Sequence, residues 1–159
     1  MVIQLYGEKD LNIRANVVTF NFEYGKMKFI QHSFASLLYT DIFGIQIRSG
    51  CFCAGPYGIE LLKIGQDTVD TIEEEVEAGI MINKPGYLRF DLTFYLEEYE
   101  IEYIANATIL IAKYWQNLEK LYTICKDGEV ILLPCIAKKF VPELHSLEKF
   151  AEAFDKIKF

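Results

Sequence analysis

Two thiols, two arginines and a tight glycine-rich turn are the residues of this chain best suited to chemistry. Cys51 and Cys53 stand one residue apart in Arg48-Ser49-Gly50-Cys51-Phe52-Cys53-Ala54-Gly55-Pro56-Tyr57-Gly58. A thiolate attacks sulfur or carbonyl centres well, and its pKa falls beside a cation or at a helix N-terminus. Arg48 supplies a cation just upstream of Cys53, and Pro56 suits the first turn of a following helix. The plainer reading is that Cys53 is a small buried hydrophobe, as most free cysteines are. Cys51 reads as a structural or secondary thiol. Arg89 is the other candidate: on the polar face of a strand, a guanidinium holds a carboxylate through two parallel hydrogen bonds, which lysine cannot copy. Its plainer alternative is an ion pair with Asp91 or with a neighbouring strand. Arg48 suits a loop organiser that bonds backbone carbonyls and joins Arg89 on the substrate side. Tyr57 is a possible pocket wall, with plain packing as the favoured reading; His32 reads as a helix-start residue on the surface and less readily as a ligand contact, and His145 reads as structural. No Ser-His-Asp ordering, phosphate-cradling glycine loop or paired-histidine helix occurs.

These residues need a frame to hold them. Val2 to Tyr6 reads as a strand, and Val18, Phe20 and Phe22 alternate with polar neighbours to give a second with one apolar face. Phe34, Leu37, Leu38 and Ile42 fall at helical spacing, and Gly44 suits the left-handed residue that ends such a helix. A short strand is expected over Ile45 to Arg48, then a short helix ending near Gly65. A further helix is expected from an Asp67 cap, with Ile72, Val76 and Ile80 inward. Its acidic run Glu73-Glu74-Glu75 with Glu77 reads as a solvated face, and less readily as a docking patch. After the turn Asn83-Lys84-Pro85-Gly86, Leu88, Phe90, Leu92 and Phe94 alternate with Arg89, Asp91 and Thr93. A slip of one residue there would bury Arg89 and expose four large apolar groups. The longest helix is expected from about Glu97 to Leu121, with Ile101, Ile104, Thr108, Ile111, Trp115, Leu118 and Tyr122 in a stripe. A strand over Val130 to Leu133 and a last helix after Pro142, with Leu144, Leu147, Phe150 and Phe154 inward, complete the pattern. The fold class expected is α/β (α+β): a small, mostly antiparallel sheet with helices layered on one face.

The chain has 159 residues and a formal net charge of −7, with 52% hydrophobic residues. That suits one packed domain rather than a disordered segment. An acidic balance leaves no basic excess for nucleic acid phosphates or an anionic membrane surface, so neither is an expected partner. No apolar run of spanning length and no basic start before an apolar stretch is present, which gives a cytoplasmic expectation. The four cysteines show no framework spacing and no paired metal-ligand spacing, so reduced thiols without metal are expected.

The cysteine turn resembles the cysteine loop of the class V aminotransferase and cysteine desulfurase family of pyridoxal phosphate enzymes. The family pattern Arg-x-Gly-x-x-Cys-Ala reads here as Arg48-Ser49-Gly50-Cys51-Phe52-Cys53-Ala54. The similarity continues through Phe43-Gly44-Ile45-Gln46-Ile47-Arg48, Lys84-Pro85-Gly86-Tyr87-Leu88-Arg89 and the Glu97-Glu98 helix, covering roughly residues 14 to 121. It implies the C-terminal small domain of such an enzyme over residues 1–122, with 123–159 an extension packed on it. It also implies a catalytic Cys53 and a substrate-carboxylate arginine at Arg89. The cofactor, pyridoxal phosphate, would be held by a separate large domain. The partners implied are that large domain, an amino acid substrate and a second copy in a homodimer, the isolated chain being inactive. Three departures stand out: Phe52 where many desulfurases carry histidine, a longer segment between Cys53 and Arg89, and residues 123 to 159, which extend beyond the match. The competing reading is a stand-alone interaction module that kept the domain and lost catalysis.

Overall fold

The computed structural model describes residues 1–10, 12–26, 28–50, 55–125 and 129–133. In chain order these form β1 (Val2–Tyr6), β2 (Val17–Gly25), β3 (Lys28–Phe29), α1 (His32–Phe43), β4 (Arg48–Gly50), α2 (Gly55–Leu62), α3 (Gln66–Glu77), β5 (Tyr87–Asp91), α4 (Glu98–Glu119), β6 (Tyr122–Ile124) and β7 (Val130–Leu132). The main sheet runs β1-β2-β5-β4, with β3 added to β2, and every pairing is antiparallel. A separate hairpin joins β6 to β7. The chain therefore has the expected α+β class.

Burial follows the alternation. Phe20 and Phe22 of β2 and Leu88 and Phe90 of β5 are buried on one face of the sheet. They meet Phe34, Ala35, Leu38, Tyr39 and Phe43 of α1 and Ala107, Ile111, Tyr114 and Leu118 of α4 in one core. Removal of this apolar surface from water is the main stabilising term of the fold. The two helices thus form the expected layer. α2 departs from the expected one-sided arrangement and touches the opposite face, where Gly58 packs beside the Tyr87 ring.

Several expected boundaries move, each for a local reason. α1 starts with the Gln31 side chain accepting from the Phe34 amide and ends at Gly44, whose φ is 64°. The Gly44 and Ile45 amides then donate to the carbonyls of Thr40 and Tyr39. That cap occupies the backbone where a strand was expected from Ile45, so β4 begins only at Arg48. Ile45 and Ile47 still pack on the core. α3 is capped by Gly65 rather than Asp67, which lies inside the first turn where a carboxylate complements the helix dipole. Ile80 is 45% exposed because α3 stops at Glu77 and Gly79 turns the chain with φ +83°. β5 ends at Asp91: the Leu92 amide goes to the Asn16 carbonyl, Thr93 and Leu96 close a turn, and Phe94 is left 94% exposed.

The inward face of α4 also differs from the expected stripe. Ala107 and Tyr114 are buried with Ile111 and Leu118, whereas Ile101 is exposed on the first turns. Periodicity placed the stripe correctly at its shared positions and missed its width. β3 and β6 were not expected at all; both are short and gain their pairing only from neighbours. The helix expected after Pro142, and with it most of the 123–159 extension, lies outside the described residues.

Candidate functional site

The register of the sheet settles where the arginines stand. Tyr6 lies opposite Thr19, Thr19 opposite Arg89, and Arg89 opposite Arg48. Residues directly opposite one another share a face, so this row crosses the side of the sheet turned away from the main core. Arg89 donates from Nη2 to Asp91 Oδ2 at 3.1 Å, two residues along the same strand, so the plainer alternative for this arginine is realised. The pair is open to solvent, with 28% of the Arg89 side chain and 48% of the Asp91 side chain exposed. An ion pair of this exposure contributes little to stability.

α2 divides this face into two depressions. Tyr57 and Leu61 turn to a cleft of about 320 Å³ that contains Arg89, Thr19, Tyr87 and Arg14. Gly58, Ile59 and Leu62 turn to a larger cavity of about 790 Å³ that contains Arg48, Ser49 and Gly50. The structure therefore puts Arg48 and Arg89 in register but opens them onto adjacent hollows. Arg14 is not a ligand group in the first of these. Its Nε and Nη2 both donate to the Val17 carbonyl, Nη1 donates to the Glu8 carbonyl and Nη2 to that of Tyr6, which ties down the loop before β2. Tyr57 is 56% exposed at the rim of the cleft. Cys53, and Cys51 with it, lies outside the described residues.

The segment leading into Arg89 is clamped from two sides, and neither clamp was anticipated. Asn21 is buried between Phe20 and Phe22, and its Nδ2 donates to the Gly86 carbonyl at 3.0 Å and to the Tyr6 hydroxyl at 3.3 Å. Burial pushes the Tyr6 phenol above its usual range, with the Asn21 bond acting the other way. From the other side, His32 at the start of α1 holds the Lys84 carbonyl through Nε2 at 3.1 Å. A carbonyl can only accept, so Nε2 carries the proton. The imidazole lies against Gly86 so closely that a side chain there would collide with it. The signal available in the sequence was slight: one amide side chain inside an apolar strand, and one histidine before a helix.

Burial lowers the His32 pKa, its bond to the Lys84 carbonyl opposes this, and the Lys84 charge adds to the lowering. A depressed folded pKa means stability that is complete above the unfolded value, about 6.5, and is lost as pH falls through the lower folded one. The melting temperature of the native chain is therefore expected to fall as pH drops below about 6.5. The His32→Gln chain should melt lower at neutral pH and lose that part of the acid slope, which thermal scans below that pH would show.

With the geometry in place, comparison with known proteins adds nothing to it. The chain matches no family model, no curated protein and no solved structure. A pyridoxal ring needs a Schiff-base lysine, an acid at its pyridine nitrogen and a stacked ring. The described residues do not fit it: Lys84 is an exposed lining residue of the large cavity, and the nearby His32 ring is committed to Gly86 and the Lys84 carbonyl rather than open to stack on a ligand. What the site presents is the Arg89 guanidinium, paired with Asp91, on a strand beside an open cleft. No helix among the described residues is long and apolar enough to cross a membrane.

Proposed function

We propose that this chain is the substrate-recognition part of an amino acid-processing enzyme of the class V aminotransferase and cysteine desulfurase type. In that reading it is the small domain, Arg89 orients the amino acid carboxylate, and Cys53 acts on the substrate sulfur or guards the site. Pyridoxal phosphate, held by a separate large domain, supplies the electron sink. The observation that carries the reading is the position of Arg89: a partly exposed guanidinium on a rigid strand, in a cleft walled by Tyr57, Leu61 and Tyr87 and open on one side. Rigid placement on a strand is what orienting a substrate requires. Arg48, opposite it on β4, keeps the local field positive for an anionic group. Exposed Phe94 and Tyr95, packed edge to face at 5.5 Å just beyond β5, form an apolar apron suited to contact with that large domain.

The test begins with an antibody to this chain in its source cell. The expected result is a larger polypeptide, or a complex, that carries an aldimine absorption band. In that holoenzyme Arg89→Ala should raise KM for the amino acid by about 10- to 100-fold, the loss of a charged hydrogen-bonded pair, and leave the band unchanged. Cys53→Ala should stop sulfur release with the band retained. A species the size of this chain alone, free of cofactor, would reject the proposal in favour of an interaction module. In that case the exposed Glu73, Glu74 and Glu77 face of α3 becomes the first surface to test.

A further inference from the structure

The cavity between α2, α3 and the β4 edge has the build of a second binding site, and its lining specifies a ligand class. Along α3, Val69, Ile72, Glu73, Val76 and Glu77 recur at helical spacing and all face the hollow. Val69 is buried at its floor, Ile72 and Val76 are half-buried, and the two glutamates stand exposed at the mouth. Across from them, Ile59, Leu62 and Ile64 continue the aliphatic wall. The remaining side carries Arg48 and Lys84, both exposed, beside Pro85. Gly58 and Gly55 contribute no side chain to fill the space between. At about 790 Å³ the hollow lies in the range of small-molecule sites, which are apolar with a few placed polar groups.

The charges at the mouth decide what fits. Among the described lining residues the two cations come from β4 and the segment before β5 and the two carboxylates from α3, so opposite charges are supplied by different walls. An aliphatic anion would meet Glu73 and Glu77, and an aliphatic cation would meet Arg48 and Lys84, each at a like-charge cost. We infer that the cavity binds a zwitterion with an apolar body, of the size of a free apolar dipeptide. Its carboxylate lies on the Arg48 and Lys84 side, its ammonium on the Glu73 and Glu77 side, and its aliphatic side chains among Ile59, Leu62, Ile72 and Val76. This site is separate from the Arg89 cleft and does not depend on the amino acid chemistry proposed there.

The full 159-residue chain, labelled with ¹⁵N, is titrated with leucyl-leucine. The expected result is saturable shifts at the amides of Ile59, Val69, Ile72 and Lys84. N-acetyl-leucyl-leucine, without the ammonium, and leucyl-leucine amide, without the terminal carboxylate, should each bind about tenfold more weakly or less. Exchanging the rim charges with Glu73→Lys and Glu77→Lys, both at exposed positions, should weaken leucyl-leucine and reverse its advantage over the acetylated peptide. Absence of saturable shifts at those amides, or equal binding of all three peptides, would overturn the inference.

Discussion

Replacing Tyr39 by alanine is expected to cost about 3–5 kcal/mol, the range for emptying a large buried aromatic site, and to lower Tm by roughly 10 °C for a chain of this length. Tyr39 is fully buried, stacks with Phe22 and meets Phe90 edge to face at 5.3 Å between centroids. It therefore joins α1 to both central strands. Its hydroxyl donates to Thr108 Oγ1 at 2.8 Å, and Thr108 in turn donates to the Ile104 carbonyl at 2.7 Å, which joins α1 to α4. Tyr39→Phe keeps the packing and removes only the first of those bonds, so about 1 kcal/mol is expected. The two variants separate packing from hydrogen bonding in one denaturation series. The same burial pushes the Tyr39 phenol far above its ordinary pKa. Tyr122 is raised as well, first by burial, then by the charge of Asp41 and its hydrogen bond to that carboxylate. A raised folded pKa gives stability that is complete below the unfolded value, near 10, and lost as pH rises above it. Alkaline melts should therefore steepen above about pH 10 in the native chain and less so in Tyr39→Phe.

Much of this frame was legible because apolar residues repeat at the period of the element that buries them. β1 and β2 begin where alternation puts them, and α1 ends at Gly44 because only a residue at ease with positive φ closes that cap without strain. The same logic set Arg89 on the polar face of β5, and the register bears that out. What periodicity could not supply was long-range. Phe94 continues the alternation of β5, yet among the described residues no strand extends there to pair with it, and the chain turns at Thr93 instead. Ile80 continues the α3 spacing past the point where the helix has ended. The division of Arg48 and Arg89 between two hollows depends on how α2 lies across the sheet, a tertiary fact with no local signature. Asn21 and His32 gain their meaning only from meeting the same turn, at carbonyls 65 and 52 residues away in sequence.

That shared turn carries the second large effect. A side chain at Gly86 would place its Cβ 2.7 Å from the Gly50 Cα and closer still to the His32 ring, inside the distance real Cβ atoms keep. The imidazole can rotate away only by giving up the Lys84 carbonyl, and the Gly50 backbone lies in β4, paired with Tyr87. Gly50 itself has φ +106°, which holds that backbone in a conformation few other residues share. Gly86→Ala is therefore an overpacking substitution at a point where neither neighbour yields freely, and about 1–3 kcal/mol is expected. Part of that cost is the ring and part the strand, and a double-mutant cycle divides them. In a His32→Ala background the ring collision is gone, so Gly86→Ala should cost less than it does in the native chain. The residual is the approach of β4 to β5 alone. Because that approach fixes Arg48 opposite Arg89, the variant should also shift the amide resonances of both arginines in the folded protein. Strict additivity of the two substitutions, with those resonances unmoved, would show that His32 does not hold the turn that sets the arginine row.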